Sequence, residues 1–172
     1  MPTREPIILF YSRSGHSQQL AVALGAALQT PPVRLGARFY GLPALGWLLA
    51  GLDGGRGAEP RLREPLPDIE PDALVILIGP VWADGPAAPL NTVAALLRPR
   101  GNPVAAILTA AGPDSPDKAL TALQARLGRG LVLADSVPNP LEGTPGYGAR
   151  VADLAGRLRS LMVLPPEREV AS

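Results

Sequence analysis

Ser12-Arg13-Ser14-Gly15-His16-Ser17 sets three hydroxyls around one glycine and the chain's only histidine. The apolar run Ile7–Tyr11 leads into it, and Leu20, Leu24 and Leu28 follow at four-residue spacing. The serines therefore sit where a buried strand turns into a helix. The first turn of a helix carries unpaired N–H groups and partial positive charge, which suits an anion. Ser12, Ser14 and Ser17 add hydroxyl donors, and Gly15 lets a ligand approach the backbone closely. A serine-rich helix cap without a ligand explains the same pattern equally well on local physics alone. No lysine follows Gly15 and no G-x-G-x-x-G occurs, so a nucleotide-triphosphate loop and a dinucleotide fingerprint are both excluded. His16 is given no proton-transfer role, because a helix N-terminus disfavours a positive imidazole.

Composition removes other chemistries. With no cysteine there is no disulfide scaffold, thiolate metal site or cysteine nucleophile, and one histidine cannot build a multi-histidine metal site. Sixteen Lys plus Arg against fifteen Asp plus Glu give a net charge of +1, which argues against a nucleic-acid partner. Aromatics at 4% leave no series of base-stacking platforms. The first residues hold no secretory apolar region, and the longest apolar stretches, Leu42–Leu52 and Ala73–Ala83, are about half the ~20 residues of a membrane span. A cytoplasmic protein without a membrane partner is expected. At 172 residues and 47% hydrophobic, the chain is sized for one domain, here 1–166, with a frayed tail over 167–172.

Four apolar runs, Ile7–Tyr11, Ala73–Ile78, Val104–Leu108 and Leu131–Leu133, are nearly continuous, as strands covered on both faces read. Val33–Tyr40 alternates, with Val33, Leu35, Ala37 and Phe39 opposite Arg34 and Arg38, which suits a half-exposed edge strand. Helical stripes lie between the runs: Leu20-Leu24-Leu28, Leu90-Val93-Leu97, Leu120-Leu123-Leu127 and Val151-Leu154-Leu158-Leu161. Ser115-Pro116 predicts an N-cap followed by proline at the first helical position, and Gly128 a C-terminal stop. Strands alternating with helices imply an open α/β sheet. Asp53–Asp72 breaks the rhythm with its glycines and prolines, and reads first as a solvated decoration. Trp47, inside the apolar stretch Ala44–Leu52, is expected in a core or an interface, the latter allowing a homodimer.

The strand–Ser12-x-Ser14-Gly15-x-Ser17–helix pattern resembles the phosphate loop of the flavodoxin family, where hydroxyls and backbone N–H groups wrap the phosphate of FMN. Gly79-Pro80-Val81-Trp82-Ala83 with Pro86-Ala87-Ala88-Pro89 is similar to that family's second flavin loop, and Thr109-Ala110-Ala111-Gly112-Pro113 falls where the third would lie. The resemblance spans nearly the whole chain. It implies FMN as cofactor and a five-stranded parallel sheet in the order 2-1-3-4-5 with helices on both faces. It also implies cofactor contacts from Ser12, Arg13, Ser14, Gly15, His16 and Ser17, from Pro80, Val81, Trp82, Ala83, Asp84 and Gly85, and from Thr109, Ala110, Ala111 and Gly112. Trp82 would lie against the flavin ring or pack beneath the loop, and Tyr147 would reach the same rim. Two departures stand out: Asp84 intervenes between Ala83 and Gly85, and the third loop is lean in glycine, with a Pro113 that has no N–H to donate.

The function implied is electron transfer or flavin-dependent redox chemistry, with a flavin-free binding or scaffold module as the alternative. The redox chemistry would belong to the flavin, so no catalytic residue is assigned. One form is a shuttle that docks on a redox partner protein. Shuttles of that family are usually strongly acidic, and a charge of +1 does not support this form. The other is an NAD(P)H oxidoreductase of quinone-reductase type, passing electrons to a small acceptor. Arg56, Arg61 and Arg63 would then help hold the phosphates of the nicotinamide cofactor.

Overall fold

The computed structural model describes residues 3–36, 58–112 and 116–163. Its strands are β1 (Pro6–Phe10), β2 (Val33–Arg34), β3 (Leu74–Trp82), β4 (Gly85–Pro86), β5 (Val104–Ala110) and β6 (Leu133–Pro138). The helices among the described residues are α1 (His16–Leu28), α2 (Ala88–Leu97), α3 (Asp117–Leu127) and α4 (Pro145–Met162). Five strands run parallel in the order β2-β1-β3-β5-β6. This is the expected 2-1-3-4-5 arrangement. The short β4 is an addition, antiparallel to the end of β3.

The continuous apolar runs are explained by cover on both faces. Leu9, Val75, Leu77, Ala106 and Leu108 point into one layer with Leu90, Val93 and Leu97 of α2 and Leu120, Leu123 and Leu127 of α3. Ile8, Phe10, Ile76, Ile78 and Ile107 point into the other with Leu20, Leu24 and Leu28 of α1 and Val151, Leu154 and Leu158 of α4. Each strand buries successive side chains on alternate faces, so neither layer leaves a polar stripe.

Several boundaries differ from expectation. The last strand starts at Leu133 rather than ending there, in register Ala105↔Leu133 through Ala110↔Pro138. It escapes an apolar count because it is an edge strand. Its Asp135 accepts from Arg150 and Arg157 of α4, so a carboxylate sits mid-strand. Within the described part of the expected strand Val33–Tyr40, Val33 and Arg34 pair with β1 and the Leu35 N–H donates to the Phe10 carbonyl at 2.7 Å; residues 37–40 lie outside the described residues, as does Trp47. Pro116 is itself the N-cap of α3, so the helix starts one position later than expected, while Gly128 ends it in the left-handed region at φ 73°.

The irregular segment before β3 is not a solvated decoration over its described part. Leu62, Leu66 and Ile69 pack on the first core layer. The Ala58 and Pro60 carbonyls accept from Asn91 and Thr92 of α2 at 3.4 and 2.8 Å. Residues 58–69 thus form a strap across α2. Arg61 and Arg63 are exposed on it, and Arg56 lies outside the described residues. No helix among the described residues is long and apolar enough to cross a membrane.

Candidate functional site

The three stretches singled out in the sequence converge at the C-terminal edge of the sheet, where the strand order reverses between β1 and β3. Open α/β sheets bind ligands at such a point. Tyr11 extends β1 by donating its N–H to the Ile78 carbonyl at 2.9 Å. Pro80 of β3 stands in register with Thr109 of β5, so the second and third stretches are neighbours.

The serine loop divides its hydroxyls among different tasks. Ser12 is buried, and its Oγ accepts the Gly15 N–H at 3.1 Å, which closes the turn. Gly15 is the N-cap of α1 at φ 104°, a conformation that favours glycine. A Cβ there would meet nothing within 4 Å, so the backbone conformation, not crowding, asks for glycine, and the space above the turn is open. Ser14 is exposed beside it. Ser17 is buried in the first turn of α1, and its Oγ lies 2.7 Å from Thr109 Oγ1. That hydroxyl pair ties the helix start to the end of β5. His16 Nδ1 lies 2.8 Å from the Glu142 carboxylate, which follows the 3-10 turn Asn139–Leu141. On the opposite flank, Arg34 donates to the Ser12 carbonyl at 3.1 Å and to Gln18 Oε1 at 3.2 Å.

The Asp84 departure acquires a structural meaning. Ala83 and Asp84 have φ values of 45° and 66°, and Trp82 pairs with Gly85 across them. Two positive-φ residues between paired strands make a type I′ hairpin turn, so the intervening aspartate supplies the second turn residue. Asp84 also pairs with Lys118 of α3 at 3.0 Å, both side chains being exposed. Beneath the hairpin, Trp82 meets Tyr11 edge-to-face, with ring centroids 5.3 Å apart at 89°. Burial pushes the Tyr11 phenol up from its ordinary value, and the Arg13 and Arg34 cations draw it partly back. Trp82 and Val81 also pack on the first core layer. In the third stretch Thr109 is buried, Ala110 and Gly112 are half-buried and Ala111 is exposed, while Pro113 lies outside the described residues.

Tyr147 does not join this rim. It packs on the second core layer, on the opposite face of the sheet from Trp82, with its hydroxyl buried and unpartnered. Burial raises its phenol pKa, and the nearby Glu142 carboxylate adds to the rise. Its closeness to glycines in sequence concealed a helical position that faces inward. Arg34 and Glu142 went unrecognised as loop partners. For Arg34 the signal was available, since the expected order lays β2 beside β1.

No family model matches the chain, and no curated protein matches it. Solved structures do. A flavoprotein in complex with FMN from Lactobacillus acidophilus NCFM superposes with a TM-score of 0.65 at 20% identity, over 77% of this chain and 93% of its own. The fold is flavodoxin-like. A Bacteroides uniformis chain provisionally named a flavoprotein gives a TM-score of 0.67 at 14% identity, over 90% and 99% of the two chains. The rubredoxin oxygen:oxidoreductase of Desulfovibrio gigas gives 0.56 at 15% identity, over 94% of this chain but 36% of that larger one. This flavodoxin-like sheet presents the serine loop, the hairpin and the β5 end on one edge.

The donor set suits a phosphate monoester. An exposed hydroxyl, a helix start with unpaired N–H groups and open space above a positive-φ glycine converge, flanked by the Arg13 and Arg34 cations. The Glu142 carboxylate beside the loop is held by His16 Nδ1 at 2.8 Å.

Proposed function

We propose that this chain binds FMN and serves electron transfer or flavin-dependent redox chemistry. The observation that carries the reading is the Ser12–Ser17 turn at the start of α1. It is built from hydroxyls and N–H groups, roofed by open space, and placed where the strand order reverses. The likeness to a flavoprotein in complex with FMN supports it. Ser14 and the first N–H groups of α1 would hold the phosphate. Ser12 would add its own proton, since a hydroxyl that accepts one bond can still donate another. The 80–85 hairpin and Thr109–Gly112 would flank the ring, with Trp82 and Tyr11 as an aromatic wall that excludes water. FMN, when bound, supplies the redox chemistry.

Reduced nicotinamide as electron donor is the companion proposal. Arg63 lies exposed where its N–H meets the Gly36 carbonyl, just beyond β2 and close to the site edge. Fluorescence titration with FMN, FAD and riboflavin tests the cofactor reading. FMN should bind tightest, riboflavin about 10-fold or more weaker for want of charged hydrogen bonds, and FAD no better than riboflavin. Equal affinity for all three would mean that the phosphate contributes nothing, and the reading would fail.

A further inference from the structure

Arg34 stands on the edge strand, outside every stretch that would touch a flavin. Its Cα is fixed in register with Phe10 of β1, two residues before Ser12. From there the guanidinium reaches both sides of the serine loop: Nη2 donates to the Ser12 carbonyl at 3.1 Å and Nη1 to Gln18 Oε1 at 3.2 Å. Ser12 ends the strand side of the loop, and Gln18 belongs to the first turn of α1. A single planar group therefore spans the loop and fixes the separation of strand end and helix start.

We propose that Arg34 is the positioning residue that pre-sets the serine loop for a phosphate monoester. The inference rests on the FMN reading above and deepens it. The peptide between Ser12 and Arg13 is trans, as all described peptide bonds are, so its C=O and N–H point in opposite directions. Holding the Ser12 carbonyl from β2 fixes the plane of this first peptide of the loop. The Ser12 hydroxyl, occupied by the Gly15 N–H, fixes the other half of the turn. Without the guanidinium the Ser12 carbonyl loses this anchor, and more of the loop must be ordered at the moment of binding. Preorganisation of this kind shows as affinity.

Lysine separates position from charge. It keeps the positive charge but lacks the planar fork that reaches two acceptors at once. The test is a fluorescence titration of FMN and riboflavin against the parent, Arg34→Ala, Arg34→Lys and Gln18→Ala, at low salt and at 0.5 M salt. Arg34→Ala should weaken FMN about 10-fold and leave riboflavin within about twofold. Arg34→Lys should stay closer to the alanine variant than to the parent, and the deficit should persist at 0.5 M salt, where a charge effect alone is screened. Gln18→Ala, which removes one acceptor and no charge, should loosen FMN severalfold and spare riboflavin. Full recovery in Arg34→Lys would reduce Arg34 to a point charge and overturn the proposal. Equal weakening of FMN and riboflavin would show a merely structural role and overturn it as well. Should Arg34→Ala fail to fold, the lysine and Gln18 variants decide by the same criteria. A parent that holds FMN no better than riboflavin defeats the FMN reading, and this inference with it. A parent with that preference, retained in all three variants, defeats the inference alone.

Discussion

Ser14 and Ser17 look equivalent in the sequence, three residues apart around Gly15, yet the fold gives them opposite environments. Ser14 is exposed on the turn, while Ser17 is 1% exposed and paired with a Thr109 that is 3% exposed. Their alanine variants should therefore fail differently. Ser14→Ala should loosen FMN by roughly 10-fold or more, through one lost hydrogen bond to a charged group, and leave the FMN-free protein's unfolding midpoint unchanged. Ser17→Ala should destabilise the FMN-free protein by about 1–3 kcal/mol, because it strands the Thr109 hydroxyl in a buried site. Chemical denaturation and flavin titration of both variants check the pair. A reversed pattern, with stability lost at Ser14 and phosphate preference lost at Ser17 alone, would reassign the phosphate to the buried hydroxyls. The spacing of the serines was legible in the sequence; their division of labour was not. It depends on Thr109, 92 positions away, arriving beside α1 at the end of β5.

Among the elements, the 80–86 hairpin departs most from what local preference would choose. A type I′ turn favours Asn-Gly, because both central residues need φ above zero. Here they are Ala83 and Asp84, and Ala83 at φ 45° carries the steric penalty of a Cβ in the left-handed region, about 1–2 kcal/mol. Ala83 is exposed, so its methyl contributes little packing. Ala83→Gly should accordingly raise stability by about 1 kcal/mol in denaturant titration. A fall in the midpoint would mean that the methyl makes contacts worth more than the strain. Strain of this kind concentrates at ligand sites, and this turn lies beside Trp82 at the site's edge. In the sequence Asp84 shows only as an interruption of a pattern, since a turn type is defined by dihedral angles that no residue count reveals. β6 was shifted for a related reason. Leu133 and Val137 are its buried positions, and Asp135 between them is matched by arginines from α4. By contrast β1, β3 and β5 announced themselves, because burial on both faces makes their runs nearly continuously apolar.

For the whole molecule, the open sheet brings the ends of β1, β3 and β5 to one edge, and the loop partners come from the flanks. Arg34 reaches in from β2 and Glu142 from the turn before α4. The strand–helix rhythm was enough to read an open α/β sheet, while its order and the meeting of the three stretches followed from the resemblance to the flavodoxin family. It could not show Tyr147 turned toward the second core layer, nor the strap of 58–69 laid over α2, because both depend on packing between distant segments. The placement of FMN across this edge is the central claim, and backbone amide NMR of the full chain tests it most directly. Added FMN should shift the amides of Arg13–Ser17, of Val81–Gly85 and of Thr109–Gly112, saturating at one equivalent. Riboflavin should shift the second and third groups and leave the first almost unmoved. Shifts confined to another surface, or the same three groups moved alike by FMN and riboflavin, would contradict a phosphate held by the serine loop.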